Sequence, residues 1–197
     1  MTFATRAAAG RLLGQDLAKR RVQAHLVLGL PRGGVVVAAA VAATLRRPLD
    51  AVIVRKIGHP WHREFALGAL AEGGVIVLDE SYLGKHPAVR ADLDAVIAEE
   101  TQRLEEYQAK FRRTPALDLA GQCVLLVDDG LATGATMDVA VPVASTAAAE
   151  RLGALADDLI ALVVDPGFDA VGHYYAEFPQ TSDEEVQALL RAGATAG

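Results

Sequence analysis

The stretch that decides the fold is Val124-Leu125-Leu126-Val127-Asp128-Asp129-Gly130-Leu131-Ala132-Thr133-Gly134-Ala135-Thr136. Its first four residues are a continuous apolar run bounded by Gly121 and Gly130. That is too short for a helix and suits a strand buried on both faces of a parallel sheet. Asp128 and Asp129 then fall at the strand's carboxyl end, where open α/β sheets bind ligands. Two carboxylates there can accept hydrogen bonds from vicinal hydroxyls or hold a hydrated Mg²⁺. Thr133, Gly134, Ala135 and Thr136 are small enough for the backbone to close on an anion, and their hydroxyls add donors. A helix starting there would add its positive dipole end. A Walker loop is excluded, because Gly-Lys-Ser/Thr is absent. An acidic pair or a Gly/Thr turn alone is more often plain structure than a site; the string as a whole is far more specific.

Working outward, residues 26–30 read as a strand that breaks at Pro31-Arg32-Gly33-Gly34. Residues 35–45 then read as an Ala/Val-rich buried helix closed by Arg46, Arg47 and Pro48. The next strand is expected at Val52-Ile53-Val54, ending in Arg55-Lys56. Strand, helix, strand at this spacing predicts a βαβ unit with a right-handed crossover. Two consecutive glycines after a strand allow close backbone approach to an anion, and Arg32 offers a fork of donors matched to phosphate oxygens. Arg55 and Lys56 are solvated strand-end cations or a second pair of anion ligands.

The rest of the chain is organised around these loops. An N-terminal helix is expected over residues 7–21. Residues 58–64, with His59, Trp61, His62 and Arg63, read as a loop. Short strands at 66–71 and 75–78 flank Glu72-Gly73-Gly74, which reads as a turn. The clearest helix covers 88–113, with Leu93, Ile97, Leu104, Tyr107 and Phe111 along one stripe and the pairs Glu99/Arg103 and Glu106/Lys110 on the other side. A late strand is expected at 159–164. Ser182-Asp183-Glu184-Glu185 is a capping box that starts a last helix. Tyr174, Tyr175 and Phe178 form an aromatic cluster, read as core packing or as a wall for a planar acceptor.

Bulk properties narrow the class. At 197 residues the chain suits one domain, 1–197, with a sizeable core. A net charge of −6 argues against a nucleic-acid surface. Cys123 is the single cysteine, so no internal disulfide is possible, and it reads as a small buried hydrophobe. No signal-peptide pattern or membrane-length apolar run is present, so a cytoplasmic protein without membrane contact is expected. A homodimer is allowed, since the Ala/Val-rich helices can pack on a partner subunit as readily as on the sheet.

The 124–136 string resembles the phosphoribosyl pyrophosphate (PRPP) motif of type I phosphoribosyltransferases. The resemblance extends over most of the chain, to a bacterial group whose acceptor is generally unassigned. It implies an α/β fold, a mostly parallel, Rossmann-like sheet flanked by helices, with a small hood. By that resemblance, Asp128 and Asp129 are the candidate catalytic pair and meet the ribose hydroxyls. Ala132, Thr133, Gly134, Ala135 and Thr136 cradle the 5′-phosphate. Arg32, Gly33 and Gly34, with Arg55 and Lys56, take the pyrophosphate, and residues 58–64 stand where the family carries a mobile loop. The implied reaction uses PRPP and Mg²⁺ to ribosylate a nucleobase-like acceptor, releasing pyrophosphate. The alternatives are a PRPP- or nucleotide-sensing regulator and an inactive paralogue. No metal-ligating residue is assigned.

One segment departs from the family pattern. Residues 139–144 look like the family's next strand arriving too early, because a parallel crossover with its helix needs a dozen or more residues. The expectation is that 124–127 and 139–144 are not parallel neighbours joined in the usual way. Either residues 136–141 form a short helix broken at Pro142, or the phosphate loop is poorly anchored and PRPP binding is weak or lost.

Overall fold

The structure is a computed structural model and describes residues 1–111, 121–130, 138–153 and 158–193. It divides into two compact units, one of residues 1–51 and 118–197 and one of residues 52–117.

The first unit is built on a five-stranded parallel sheet. Its strands are β1 (Leu26–Gly29), β2 (Leu49–Ala51), β6 (Val124–Val127), β7 (Asp138–Ser145) and β8 (Leu159–Asp165). They lie side by side in the order β2-β1-β6-β7-β8. Helices α1 (Arg6–Arg20), α2 (Gly33–Leu45), α5 (Thr146–Gly153) and α6 (Asp183–Gly193) flank the sheet. β1 is buried along its whole length, as its apolar run requires. α2 buries Val35, Val37, Ala38, Val41 and Ala42. The Ser182 hydroxyl accepts the Glu185 N–H at 3.2 Å, which gives α6 the N-cap its sequence signals.

From β1 the chain moves one way along the sheet, to β2. From β6 it moves the other way, to β7 and β8. The strand order therefore reverses between β1 and β6, whose residues pair from Leu26 with Val124 to Gly29 with Val127. Such a reversal opens a crevice at the strands' carboxyl ends.

The second unit holds the antiparallel sheet β3 (Val54–His59), β4 (His62–Ala71) and β5 (Val75–Leu78), with α3 (Glu80–Leu83) and the long α4 (Pro87–Phe111). This is the small second element expected in addition to the parallel sheet. Gly73 and Gly74 both take φ 77°, a left-handed conformation that glycine tolerates, to turn β4 into β5. α4 buries Leu93, Leu104 and Phe111 of the stripe its periodicity predicts, with Val89 and Val96 beside them, while Ile97 and Tyr107 are half-buried. Its charged side is cross-linked: Glu99 pairs with Arg103 and with Arg63 of β4, both at 2.7 Å.

Several expectations are corrected. The partner strand of β1 is Leu49–Ala51, and Arg55-Lys56 lies inside β3 of the other sheet. The chain leaves the parallel sheet at Ile53, whose N–H is taken by the Glu72 Oε1 at 2.8 Å while its carbonyl accepts the Glu72 N–H at 3.3 Å. Glu72 is thus a side-chain acceptor, not only a turn residue. Residues 58–64 are not an open loop but the tight end of the β3–β4 hairpin, where His59 pairs with His62 and the Trp61 N–H donates to His59 Nδ1 at 3.1 Å. Cys123 is exposed. It precedes β6, and its carbonyl accepts the His25 N–H at 2.8 Å.

The largest correction concerns β7. It is a parallel neighbour of β6, with Leu126 opposite Val139 and Val127 opposite Ala140, and no helix starts in its place. Val139, Ala140, Val141, Val143 and Ala144 are all buried, so this run has both faces to hide and a sheet position hides both. Pro142 stands past Ala140, the last residue paired with β6, where its missing N–H removes no bond from that ladder. Burial of the strand outweighs the short connection through residues 128–137.

Candidate functional site at the strand-order reversal

The carboxyl ends of β1 and β6 bring together the two loops singled out from the sequence. Gly33 and Gly34 open α2 directly against Asp128 and Asp129. A Cβ at Gly34 would lie 2.6 Å from Asp128 Oδ1 and 3.0 Å from both the Asp128 Cα and the Val127 carbonyl oxygen. A Cβ at Gly33 would overlap Asp129 Oδ2 and lie 2.8 Å from Arg6 Nε. The glycines are therefore required by close approach. The Val35 N–H is taken by the Arg32 carbonyl at 3.3 Å, while the Gly33 and Gly34 amides ahead of it have no acceptor within the helix and suit an anion. The Pro31–Arg32 peptide is cis. Arg32 is exposed, with Nη1 3.9 Å from Asp183 Oδ1. Gly34→Ala is expected to cost about 1–3 kcal/mol of stability, because the atoms it meets are backbone and a packed carboxylate. Urea unfolding checks it, and a change below about 0.5 kcal/mol, the size of an ordinary surface substitution, would mean that the loops do not touch.

The two acids are held differently. Asp128 Oδ1 accepts the Asp129 N–H at 2.8 Å. Its carboxyl is pushed up from 3.8 to about 7, first by burial and then by the charge of Asp129, against the pull of that hydrogen bond and of Arg6. Asp129 Oδ2 accepts a charge-assisted bond from Arg6 Nε at 2.7 Å. The Asp129 carbonyl accepts the Tyr175 hydroxyl at 2.5 Å. Burial, then the charge of Asp129, raises the Tyr175 phenol above its ordinary range, so it remains a donor.

Arg6, Tyr175 and Phe178 complete the site, and the residues around position 6 predict no part in it for Arg6. Arg6 is the first residue of α1, behind the Thr5 cap that accepts the Ala8 N–H at 3.2 Å. A cation and no acid in a helix's first turn runs against the macrodipole, and that was the available signal. The guanidinium lies 3.5 Å over the Phe178 ring, and Nη1 donates to the Pro179 carbonyl at 2.7 Å. Phe3 packs on Tyr175 at 5.7 Å between ring centroids, and their segments share backbone bonds, Phe3 N–H to Tyr174 and Ala176 N–H to Phe3, each at 2.7 Å. The aromatic cluster thus builds both core and the floor beneath Arg6.

Arg55 and Lys56 belong to the second unit. Arg55 donates to Glu100 Oε2 at 2.9 Å and lies 5.4 Å over the Tyr107 ring; Lys56 Nζ stands 3.5 Å from Glu64 Oε2. Ala132, Thr133, Gly134, Ala135 and Thr136 lie outside the described residues. Among the described residues no cluster of three or more His, Cys, Asp or Glu is arranged to hold a metal, and no helix is long and apolar enough to cross a membrane.

Comparisons with known proteins identify the family. The profile of the phosphoribosyl transferase domain matches residues 5–157. The chain is 40% identical over 204 aligned residues to Mycobacterium tuberculosis proteins named "Putative phosphoribosyl transferase Rv0571c" (strain H37Rv) and "Putative phosphoribosyl transferase MT0597" (strain CDC 1551). Each alignment covers 95% of this chain and 46% of the relative, so the chain spans about half the length of the curated relatives it matches. The crystal structure of TT1426 from Thermus thermophilus is 42% identical, with a TM-score of 0.80 over 98% of this chain and 100% of that one. On the profile, the identities and the shared fold, the chain belongs to the phosphoribosyltransferase family.

Proposed function

We propose that the site transfers a phosphoribosyl group from PRPP, with Mg²⁺, to a nucleobase-like acceptor and releases pyrophosphate. The observation that carries this reading is the meeting of Gly33-Gly34 with Asp128-Asp129 at the strand-order reversal. An anion-binding backbone and a pair of hydroxyl acceptors side by side suit a sugar that carries a phosphate leaving group. Asp128 and Asp129 would accept hydrogen bonds from the ribose hydroxyls. The Gly33 and Gly34 amides, with the Arg32 guanidinium, would hold the pyrophosphate. Residues 132–136 would hold the 5′-phosphate, on sequence grounds. Mg²⁺ suits a substrate rich in phosphate oxygens, and the donors on hand, two carboxylates and no larger acidic cluster among the described residues, fit a hydrated ion carried mainly by its substrate.

Such a transfer passes through an oxocarbenium-like state at C1, so the protein positions the groups and stabilises charge. Charge would leave with the pyrophosphate toward Arg32, while Asp128 and Asp129 would face the sugar that becomes positive. An inactive paralogue is favoured by one observation, the short β6–β7 connection through residues 128–137. Calorimetry with PRPP and Mg²⁺, followed by pyrophosphate release with a panel of purines and pyrimidines, tests the reading. Saturable binding and release with at least one base are expected. No binding would overturn it, and binding without release for every base would favour the sensor.

A further inference from the structure

We infer that Arg6 is the positioning residue of the PRPP site: it fixes the Asp129 carboxylate through one oxygen and so presents the other to the sugar. The inference rests on the transferase or sensor reading, since both bind PRPP. Arg6 is far from Asp129 in sequence and comes from α1, yet its side chain is 11% exposed and that of Asp129 17%. Nε donates to Oδ2 at 2.7 Å. The carboxylate is thereby held at that oxygen in one orientation.

The guanidinium is itself fixed on three sides, by the carboxylate, by the Phe178 face at 3.5 Å and by the Pro179 carbonyl at 2.7 Å. Asp129 is fixed from behind as well, by Tyr175 on its carbonyl. Charge balance supplies the second argument. Asp128 and Asp129 are adjacent, and a pyrophosphate brought to Gly33-Gly34 would place further negative charge against Asp129. Among the described residues, Arg6 is the side-chain cation in contact with that carboxylate, so it offsets the repulsion that binding would create. A group that holds a ligand's contact in its working orientation typically changes affinity by about ten- to a hundredfold when removed.

The test uses Arg6→Met and Arg6→Lys in the full chain, with calorimetric PRPP affinity in Mg²⁺ and thermal unfolding measured for each. Lysine keeps a cation for Asp129. It cannot also lie flat on Phe178 and donate to Pro179, so it loses the packing as methionine does. If Arg6 acts through Asp129, Arg6→Met weakens PRPP about ten- to a hundredfold and Arg6→Lys restores most of that loss, even where both unfold at the same lowered temperature. Equal losses in the two variants would mean a packing role only and overturn the inference. So would unchanged or tighter binding in Arg6→Met, the latter marking Arg6 as a competitor of the sugar. If the wild type itself does not bind PRPP, the functional reading fails and this inference with it.

Discussion

Replacing Asp128 and Asp129 together by Asn abolishes Mg²⁺-dependent PRPP binding and leaves the fold intact: that is the expected result of the most direct test of the site. Hydrogen bonds to charged acceptors are worth about 1.5–3 kcal/mol each and those to neutral ones about 0.5–1.5, so neutralising two removes roughly 2–3 kcal/mol, about two orders of magnitude in affinity. Asn keeps the shape of each side chain. At Asp128 its amide oxygen can still accept the Asp129 N–H, and at Asp129 it can still accept from Arg6 Nε. The variant therefore loses charge and not packing, and circular dichroism should match the wild type. Unchanged calorimetric affinity would sink the assignment of these acids to the sugar.

How far the site was legible depends on the range over which each part acts. The loops 31–34 and 128–129 are local signals: an apolar run, then residues whose backbone or charge serves an anion. They were readable one by one, and the parallel register of β1 and β6 accounts for their meeting. Arg6 is different. Its partner lies across the unit, and nothing near residue 6 in the chain reports that Tyr175 and Phe178 fold under it. β7 failed for another reason. The rule that a parallel crossover needs a helix concerns connections, whereas the position of residues 139–144 is set by the burial of a run apolar on both faces. The hairpin end at 58–64 reads as a loop because its residues show no strand alternation, while in the fold His59 supplies an acceptor that closes the turn.

The second large effect is on stability, and it has the opposite sign from the first. Asp128 has a folded value near 7, above its ordinary 3.8, with burial the leading cause. Between those values the folded state binds more protons than the unfolded one, so stability falls as pH rises from about 4 and levels off above about 7. Each pH unit in that window is worth about 1.4 kcal/mol, so the buried charge costs up to roughly 4 kcal/mol at pH 8. Asp128→Asn removes the titration and keeps the bond to the Asp129 amide. Its unfolding free energy is expected to exceed the wild type's by several kcal/mol at about pH 8, and by much less at about pH 5. Urea unfolding at the two values checks this, and a gain independent of pH would show that Asp128 is not the group that titrates. The same substitution weakens sugar binding, because the neutral amide is a poorer acceptor for a hydroxyl. A buried acid that destabilises the free protein when charged, yet accepts hydrogen bonds best in that form, is the trade expected of a binding site, where function opposes stability. The pH dependence of Asp128→Asn tests whether this acid titrates in the folded state, without any knowledge of the acceptor.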